Sequence, residues 1–280
     1  MANITIIAQG TMGSGVGRRL SDLGHHVGTV LAGRSEASVE RARAAGMKDV
    51  APAQAVDCDL FLSILPPSEA EALARQIALL LQTAPRKPTY VDCNAISPDT
   101  MRSVAAIISA AGGEVVDVGI IGGPPKGDAS PAIYASGLAA AKVRDMIGPG
   151  LDIRVLEGPV GAASALKMCY AGLTKGFQAL GISMLDAAVK AGAGDALIEQ
   201  LAESQPDFLA YFDRQVPAAF SKAYRFVGEM EEISAFLAAG GNSGASAIYA
   251  GMAELYASTT ADVAGPRELV GRLNRLLKKD

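Results

Sequence analysis

The stretch ITIIAQGTMGSGVGRRLSDL, Ile4 to Leu23, decides how this chain folds. Its β-branched start, Ile4 to Ala8, predicts a strand. The run stops at the tight turn QGTMG, and from Met12 to Leu23 the residues follow a helical pattern that Gly24 ends. A second strand follows at Val27–Leu31, then the loop Gly33-Arg34-Ser35 and a charged helix from Glu36 to Ala45. Strand, turn, helix and strand within about 30 residues make a βαβ unit, whose two strands lie parallel.

Outward from that unit the alternation continues. Further strands are predicted at Leu60–Leu65, Thr89–Asp92, Glu114–Ile121, Ala132–Ala135 and Ile153–Leu156, with helices at Glu69–Gln82, from Ser97-Pro98 to Ala111, and from Leu138. The fold class is therefore α/β, a Rossmann-type doubly wound parallel sheet over residues 1–160. Beyond Gly158 only helical periods remain, punctuated at Gly192–Gly194, Pro206, Pro217, Gly240-Gly241 and Gly265-Pro266, so residues 161–280 form an all-α domain. No low-complexity tether separates the two, which places the boundary on a helix.

That helix opens in GPVGAASALKMCYAGLTKGFQ, Gly158 to Gln178. At 100° per residue, Ser164, Lys167, Tyr170, Thr174, Lys175 and Gln178 share one side, while Leu166, Met168, Cys169, Leu173 and Phe177 cover much of the rest. A lysine in such apolar company either snorkels to water or faces a polar cleft, and the stripe favours the cleft.

Composition narrows the function. With 280 residues and 50% hydrophobic content the chain fills two cores. A net charge of −4 and only two histidines, the adjacent His25 and His26, argue against a nucleic-acid partner and against a metal site. Those histidines are expected to end the first helix. Cys58, Cys93 and Cys169 have no metal-like spacing and suit a reducing, cytoplasmic compartment. No basic leader precedes the first strand, and no apolar run approaches the roughly 20 residues that span a membrane. The terminal RLNRLLKKD reads as a basic last helix whose cations suit its dipole.

The first turn carries chemistry. In AQGTMG, Gly10 and Gly13 hold the second and third places of a GxGxxG pattern, with Ala8 in the first. The second glycine lets the backbone approach a pyrophosphate, the third lets helix and strand pack, and the amides of Thr11, Met12 and Gly13 at the helix start suit an anion. Leu65 and Pro66, at the carboxyl end of a strand, are expected to line the same dinucleotide. No carboxylate follows the second strand to hold a ribose 2′-OH; Arg34 and Ser35 stand there and suit a 2′-phosphate. The cofactor expected is NADP, with NAD possible.

These residues bring the chain close to a known group. It resembles the β-hydroxyacid dehydrogenase superfamily, the group of 3-hydroxyisobutyrate and 6-phosphogluconate dehydrogenases, and within it a less-characterised 6-phosphogluconate-dehydrogenase-like branch, to which AYRFVGEMEEI, Ala223 to Ile233, is similar. QGTMG is similar to the superfamily's GxGxMG, DCNAISP (Asp92–Pro98) to its DxSTxxP, VGIIGGPPKG (Val118–Gly127) to its PVSGG segment, and GAASALKMCYAG (Gly161–Gly172) to its GxxxxxKxxxN helix. The resemblance implies a nicotinamide-dependent oxidoreductase that moves a hydride to or from the hydroxyl or carbonyl carbon of a small hydroxyacid-like substrate. It makes Lys167 the catalytic acid/base, puts Asn94 beside cofactor and substrate, gives Gly122 and Gly123 a substrate role, and implies a homodimer formed through the helical domain. A lysine suits the proton step because burial lowers its pKa towards neutrality.

Departures bear on the substrate. Ala171 stands where the superfamily has asparagine, and Tyr170, Thr174 or Lys175 are the polar residues available to replace it. Ile121 replaces the serine of SGG, and Glu229 a lysine. Two rival readings follow: an imine reductase, or a dinucleotide-responsive binding protein that has lost catalysis.

Overall fold

The computed structural model of the chain describes residues 1–277. It divides into two compact units, Met1–Lys167 and Met168–Asp280, that meet within one helix. Lys278, Lys279 and Asp280, the cationic end expected of the last helix, lie outside the described residues.

The first unit is built on an eight-stranded sheet. Its strands are β1 (Asn3–Ile7), β2 (His26–Thr29), β3 (Lys48–Asp49), β4 (Leu60–Ser63), β5 (Thr89–Asp92), β6 (Glu114–Ile121), β7 (Ala132–Ser136) and β8 (Asp152–Val155), in the order β3-β2-β1-β4-β5-β6-β7-β8. All neighbours are parallel except β6 and β7. The helices are α1 (Thr11–Asp22), α2 (Glu36–Ala44), α3 (Ala70–Thr83), α4 (Pro98–Ala110) and α5 (Ala140–Ile147). Every residue of β4 and β5 is buried, as a sheet covered on both faces requires. Alternate side chains sort to opposite layers. Ile4, Ile6, Leu60, Leu62 and Val91 pack with Val16 and Leu20 of α1 and Val143 of α5, whereas Ile7, Phe61 and Tyr90 pack with Ile77 and Leu81 of α3 and Val104 and Ile108 of α4. Ser97 caps α4 by accepting from Thr100 N at 3.2 Å, with Pro98 in the first helical position.

The long helix α6 runs from Ala162 to Lys190 and so belongs to both units. The second unit continues with α7 (Gly194–Ser204), α8 (Pro206–Phe220), α9 (Ala223–Ala239), α10 (Ser243–Ala264) and α11 (Glu268–Leu276). Phe212, Val216, Phe220, Phe226, Met230, Tyr256 and Leu273 form its core. Asn242 caps α10 through Ala245 N at 3.0 Å, and the Asp262 carboxylate receives Leu269 N and Val270 N, both at 3.1 Å, at the head of α11. Among the described residues no helix is long and apolar enough to cross a membrane.

Sequence patterns leave three short elements unread, and one expectation needs correction. The short edge strand β3 and two 3-10 turns, Pro52–Gln54 and Pro67–Glu69, carry too few residues to show a period. Pro217 does not end a helix: it lies inside α8, where burial of Val216, Ala219 and Phe220 outweighs the lost backbone bond. His25 does help to end α1, through its backbone: its N–H donates to Leu20 O at 3.0 Å, beside the bonds from Leu23 N to Arg19 O and Gly24 N to Ser21 O, while its ring receives Ala2 N at 3.2 Å and meets Ile147 O at 3.0 Å.

Candidate active site

The turn after β1 is shaped by two glycines in different ways. A Cβ on Gly13 would stand 1.9 Å from Ala8 O, so only glycine lets α1 lie this close to the strand end. A Cβ on Gly10 would meet nothing within 4 Å, and the residue is exposed at φ −70°. Gly10 is the N-cap of α1 but offers no side chain, and the first helical bond runs from Ser14 N to Gly10 O at 2.9 Å. The amides of Thr11, Met12 and Gly13 therefore have no intrahelical acceptor and point out of the helix end, which fits a diphosphate.

Arg34 is exposed in the loop after β2, and Ser35 is the N-cap of α2. Ser35 Oγ lies 3.1 Å from Ser38 Oγ, which accepts from Arg41 at 2.9 Å, while Arg41 Nε donates to Gln9 O at 3.0 Å. Gln9 is buried, its amide donating to Thr29 Oγ1 and, at 3.1 Å, to Val30 O. Arg41, Ser38 and Gln9 thus join Ser35, next to Arg34, to the turn after β1. Sequence reasoning missed them because Arg41 is read simply as one charge among several on an exposed helix.

At the carboxyl ends of β4 and β5 Asn94 lies in a buried polar network. Asn94 Nδ2 donates to Ser63 Oγ at 2.8 Å and to Asp92 Oδ2 at 3.0 Å, and Asn94 Oδ1 accepts from Leu65 N at 2.5 Å. Both amide protons of Asn94 are used inside the chain, so Asn94 holds the Leu65-Pro66 turn in place and keeps only acceptor capacity for a ligand. Asp92 also accepts from Asn94 N at 2.9 Å. Burial pushes its carboxyl up to about 7, with Asp117 adding to the rise and Asn94 and Lys167 opposing it.

Lys167 belongs to this cluster. It is half-buried one turn into α6, and a Cβ on Gly119 of β6 would come within 3.3 Å of Lys167 Cβ. No salt bridge reaches it among the described residues, and burial lowers its pKa, opposed by Cys93, Asp92 and Asp117. Gly122 and Gly123 are exposed just beyond β6. The loop they begin, with the charges Lys126 and Asp128, is fastened to α1: Arg19 donates to Gly127 O at 2.6 Å and to Ala129 O at 3.1 Å, and Pro124 packs on Gly15.

In the second unit, Tyr170 is 51% exposed. The Thr174 hydroxyl turns back onto its own helix, to Tyr170 O at 2.9 Å, and Lys175 pairs with Glu229 and stands 5.1 Å over the Phe226 ring. Of the three polar residues expected to stand in for the missing asparagine, two are thus committed within the unit. Among the described residues there is no cluster of His, Cys, Asp and Glu that could hold a metal.

Residues 3–147, just over half of the chain, match the family described as the NAD binding domain of 6-phosphogluconate dehydrogenase, and residues 188–259 match a domain of unknown function, DUF1932. An uncharacterized 28.5 kDa protein from Methanothermus fervidus is 28% identical over 214 residues, which is 75% of this chain and 81% of that one. The structure of the conserved protein MTH1747, of unknown function and itself similar to 3-hydroxyacid dehydrogenases, is 28% identical with a TM-score of 0.75 over 92% of this chain and 99% of that one. The 3-hydroxyisobutyrate dehydrogenase of Mycobacterium tuberculosis, at 21% identity, shares the fold with a TM-score of 0.76 over 99% of both chains. The chain therefore belongs to the family of the 6-phosphogluconate dehydrogenase NAD-binding domain, and so to the β-hydroxyacid dehydrogenase-like dehydrogenases and reductases that use a nicotinamide cofactor.

Proposed function

We propose that the chain is an NADP-dependent oxidoreductase for a small hydroxyacid-like substrate or its carbonyl counterpart, with Lys167 as general acid/base. What the dinucleotide supplies when bound is the giving or taking of a hydride. The chain's own groups do the rest. The amides of Thr11, Met12 and Gly13 hold the diphosphate, and Leu65 and Pro66 line the nucleotide. Arg34, Ser35, Ser38 and Arg41 take the 2′-phosphate. Gly122 and Gly123 offer backbone donors to the substrate, Asn94 keeps the strand ends in register, and Lys167 Nζ takes or returns the proton of the reacting oxygen. Tyr170 is the polar residue of α6 left with a role in substrate binding; Thr174 and Lys175 act by shaping the helix beside it.

One observation carries this reading: a half-buried lysine that no salt bridge reaches among the described residues, its pKa lowered by burial, stands at the strand ends of a dinucleotide-binding sheet. The test is turnover of NADPH with a panel of ketoacids, aldehydes and cyclic imines. Lys167→Met should keep cofactor binding and lose about 100-fold or more in turnover. Full activity in that variant refutes the proton role, activity confined to imines selects imine reduction, and silence over the panel selects a binding protein.

We further propose a homodimer formed through the helical unit. Leu173, Leu180 and Met184 on α6 are 73%, 49% and 59% exposed, an apolar stripe at helical spacing. Beside it lies a groove of about 530 Å³ lined by Gly172, Gly176, Phe177, Tyr211, Tyr249 and Met252.

A further inference from the structure

Asp117 is wholly buried in the middle of β6, between the buried apolar pairs Val115-Val116 and Val118-Gly119. Its carboxylate only accepts: Oδ2 from Gly161 N at 2.9 Å, Ser164 N at 3.0 Å and Ser136 Oγ at 3.1 Å, and Oδ1 from Ser164 Oγ at 2.7 Å. Ser136 Oγ, on β7, in turn receives Ala163 N at 3.1 Å. The first amides of a helix have no acceptor within it and are ordinarily capped by a neighbouring side chain in sequence. Here two strands of the sheet do the capping. Two residues along the same face of β6, Gly119 leaves room for the helix to lie directly on the strand: a Cβ there would stand 2.7 Å from Ala163 O. Ser164 is tied at both its amide and its hydroxyl, and Lys167 follows it by just under one turn.

We propose that Asp117 is a positioning residue for Lys167: by clamping the first turn of α6 to β6 and β7, it fixes where the lysine amine stands among the groups at the ends of β5 and β6. The inference rests on the acid/base reading of Lys167. The charged and titratable groups that act on the amine are Asp92 and Cys93 at the end of β5 and Asp117 on β6; residues Ala162 to Leu166 of α6 contribute none. A rigid clamp matters because a general acid/base works only within hydrogen-bond reach of its proton. It also fixes how strongly the nearby carboxylates favour the ammonium form.

The test reads the amine itself and needs no substrate. Trace acetylation with acetic anhydride across pH 6 to 12, followed by peptide mass spectrometry, gives the labelling midpoint of Lys167 against the exposed Lys48. Asp117→Asn keeps the clamp, because the amide nitrogen in the Oδ1 place can donate to a turned Ser164 hydroxyl while the oxygen keeps its three donors. It removes the negative charge. Its midpoint should fall below that of the wild type, and labelling at pH 7 should rise about threefold or more relative to Lys48. Ser164→Ala keeps the charge and loosens the clamp, so its midpoint should move up towards that of Lys48. Thermal unfolding checks that each variant is folded; should Asp117→Asn fail to fold, Ser136→Ala takes its place with the outcome expected of Ser164→Ala. A depressed wild-type midpoint that none of the folded variants moves overturns the positioning role alone. A wild-type midpoint equal to that of Lys48 overturns the acid/base reading, and the positioning role with it.

Discussion

Substituting Gly13 and Gly10 separately should divide folding from binding in a turn where both are glycine. In Gly13→Ala the new Cβ would stand 1.9 Å from Ala8 O, more than about 1 Å inside contact distance, and 3.1 Å from Ala8 C. Both atoms are backbone, so no rotamer relieves the clash and α1 must lift from β1. Overpacking of this kind costs about 3 kcal/mol, the upper part of its usual range. Alanine returns about 1 kcal/mol of helix propensity, which leaves a net loss of about 2 kcal/mol. For a domain of this size that lowers Tm by about 4–8 °C. Gly10→Ala has φ −70° and meets nothing within 4 Å, so its fold should be unchanged within about 0.5 kcal/mol. The methyl group would occupy the space where the diphosphate approaches. The assay is thermal and urea unfolding with and without NADP. Bound ligand at about 100 times Kd stabilises the wild type by about 2.7 kcal/mol, and Gly10→Ala should lose at least about half of that. A Gly13→Ala protein that melts at or above the wild type, or a Gly10→Ala protein with the full NADP shift, refutes the reasoning.

Three further expectations follow. NADP should raise Tm more than NAD does, and Arg34→Ala or Arg41→Ala should each bring the two shifts together; equal shifts in the wild type refute the 2′-phosphate assignment. Asp92, free at 3.8 and pushed up to about 7 by burial, keeps in the folded state a proton that the unfolded chain releases, so its stabilisation is fully present below about pH 4 and lost as the pH rises through about 7. The loss is at most about 4 kcal/mol, and a carboxyl carbon resonance of Asp92 that titrates near 4 would falsify it. Leu173→Asp with Leu180→Asp should yield a monomer in sedimentation with near-native secondary structure; a dimer that persists shows that the stripe is not the contact.

How much of this was legible in the sequence depends on range. The strand–turn–helix at Ile4–Leu23 is a local pattern with β-branched residues and glycines at fixed places, and it led directly to the parallel sheet. The antiparallel place of β7 was not legible, because Ala132–Ser136 looks like any other short strand and its direction is set by pairing with β6. Lys167 stood out as a cation on an apolar helix. Its surroundings did not, since Asp92, Cys93 and Asp117 come to it from strands 50 or more residues away. One signal was available: an aspartate within the apolar run VVDVGII has to be paired, and partners lay in the Gly161–Ser164 turn. Asn94 reads as a ligand group, yet its neighbours consume its amide protons; a sequence names the group and cannot say who has already claimed it.

The one antiparallel pair in the sheet, β6 with β7, has an evolutionary consequence. Because β7 returns beside β6 without a helical crossover, residues 122–131 form a plain connection anchored at both ends by ladder bonds and across its middle by Arg19. Lengthening such a loop costs little, about 0.6 kcal/mol for each doubling, and leaves the register of the strands untouched. Relatives can therefore exchange one loop for another there while the parallel part of the sheet stays as it is, so the pace of sequence change in this segment need not be tied to that of the fold.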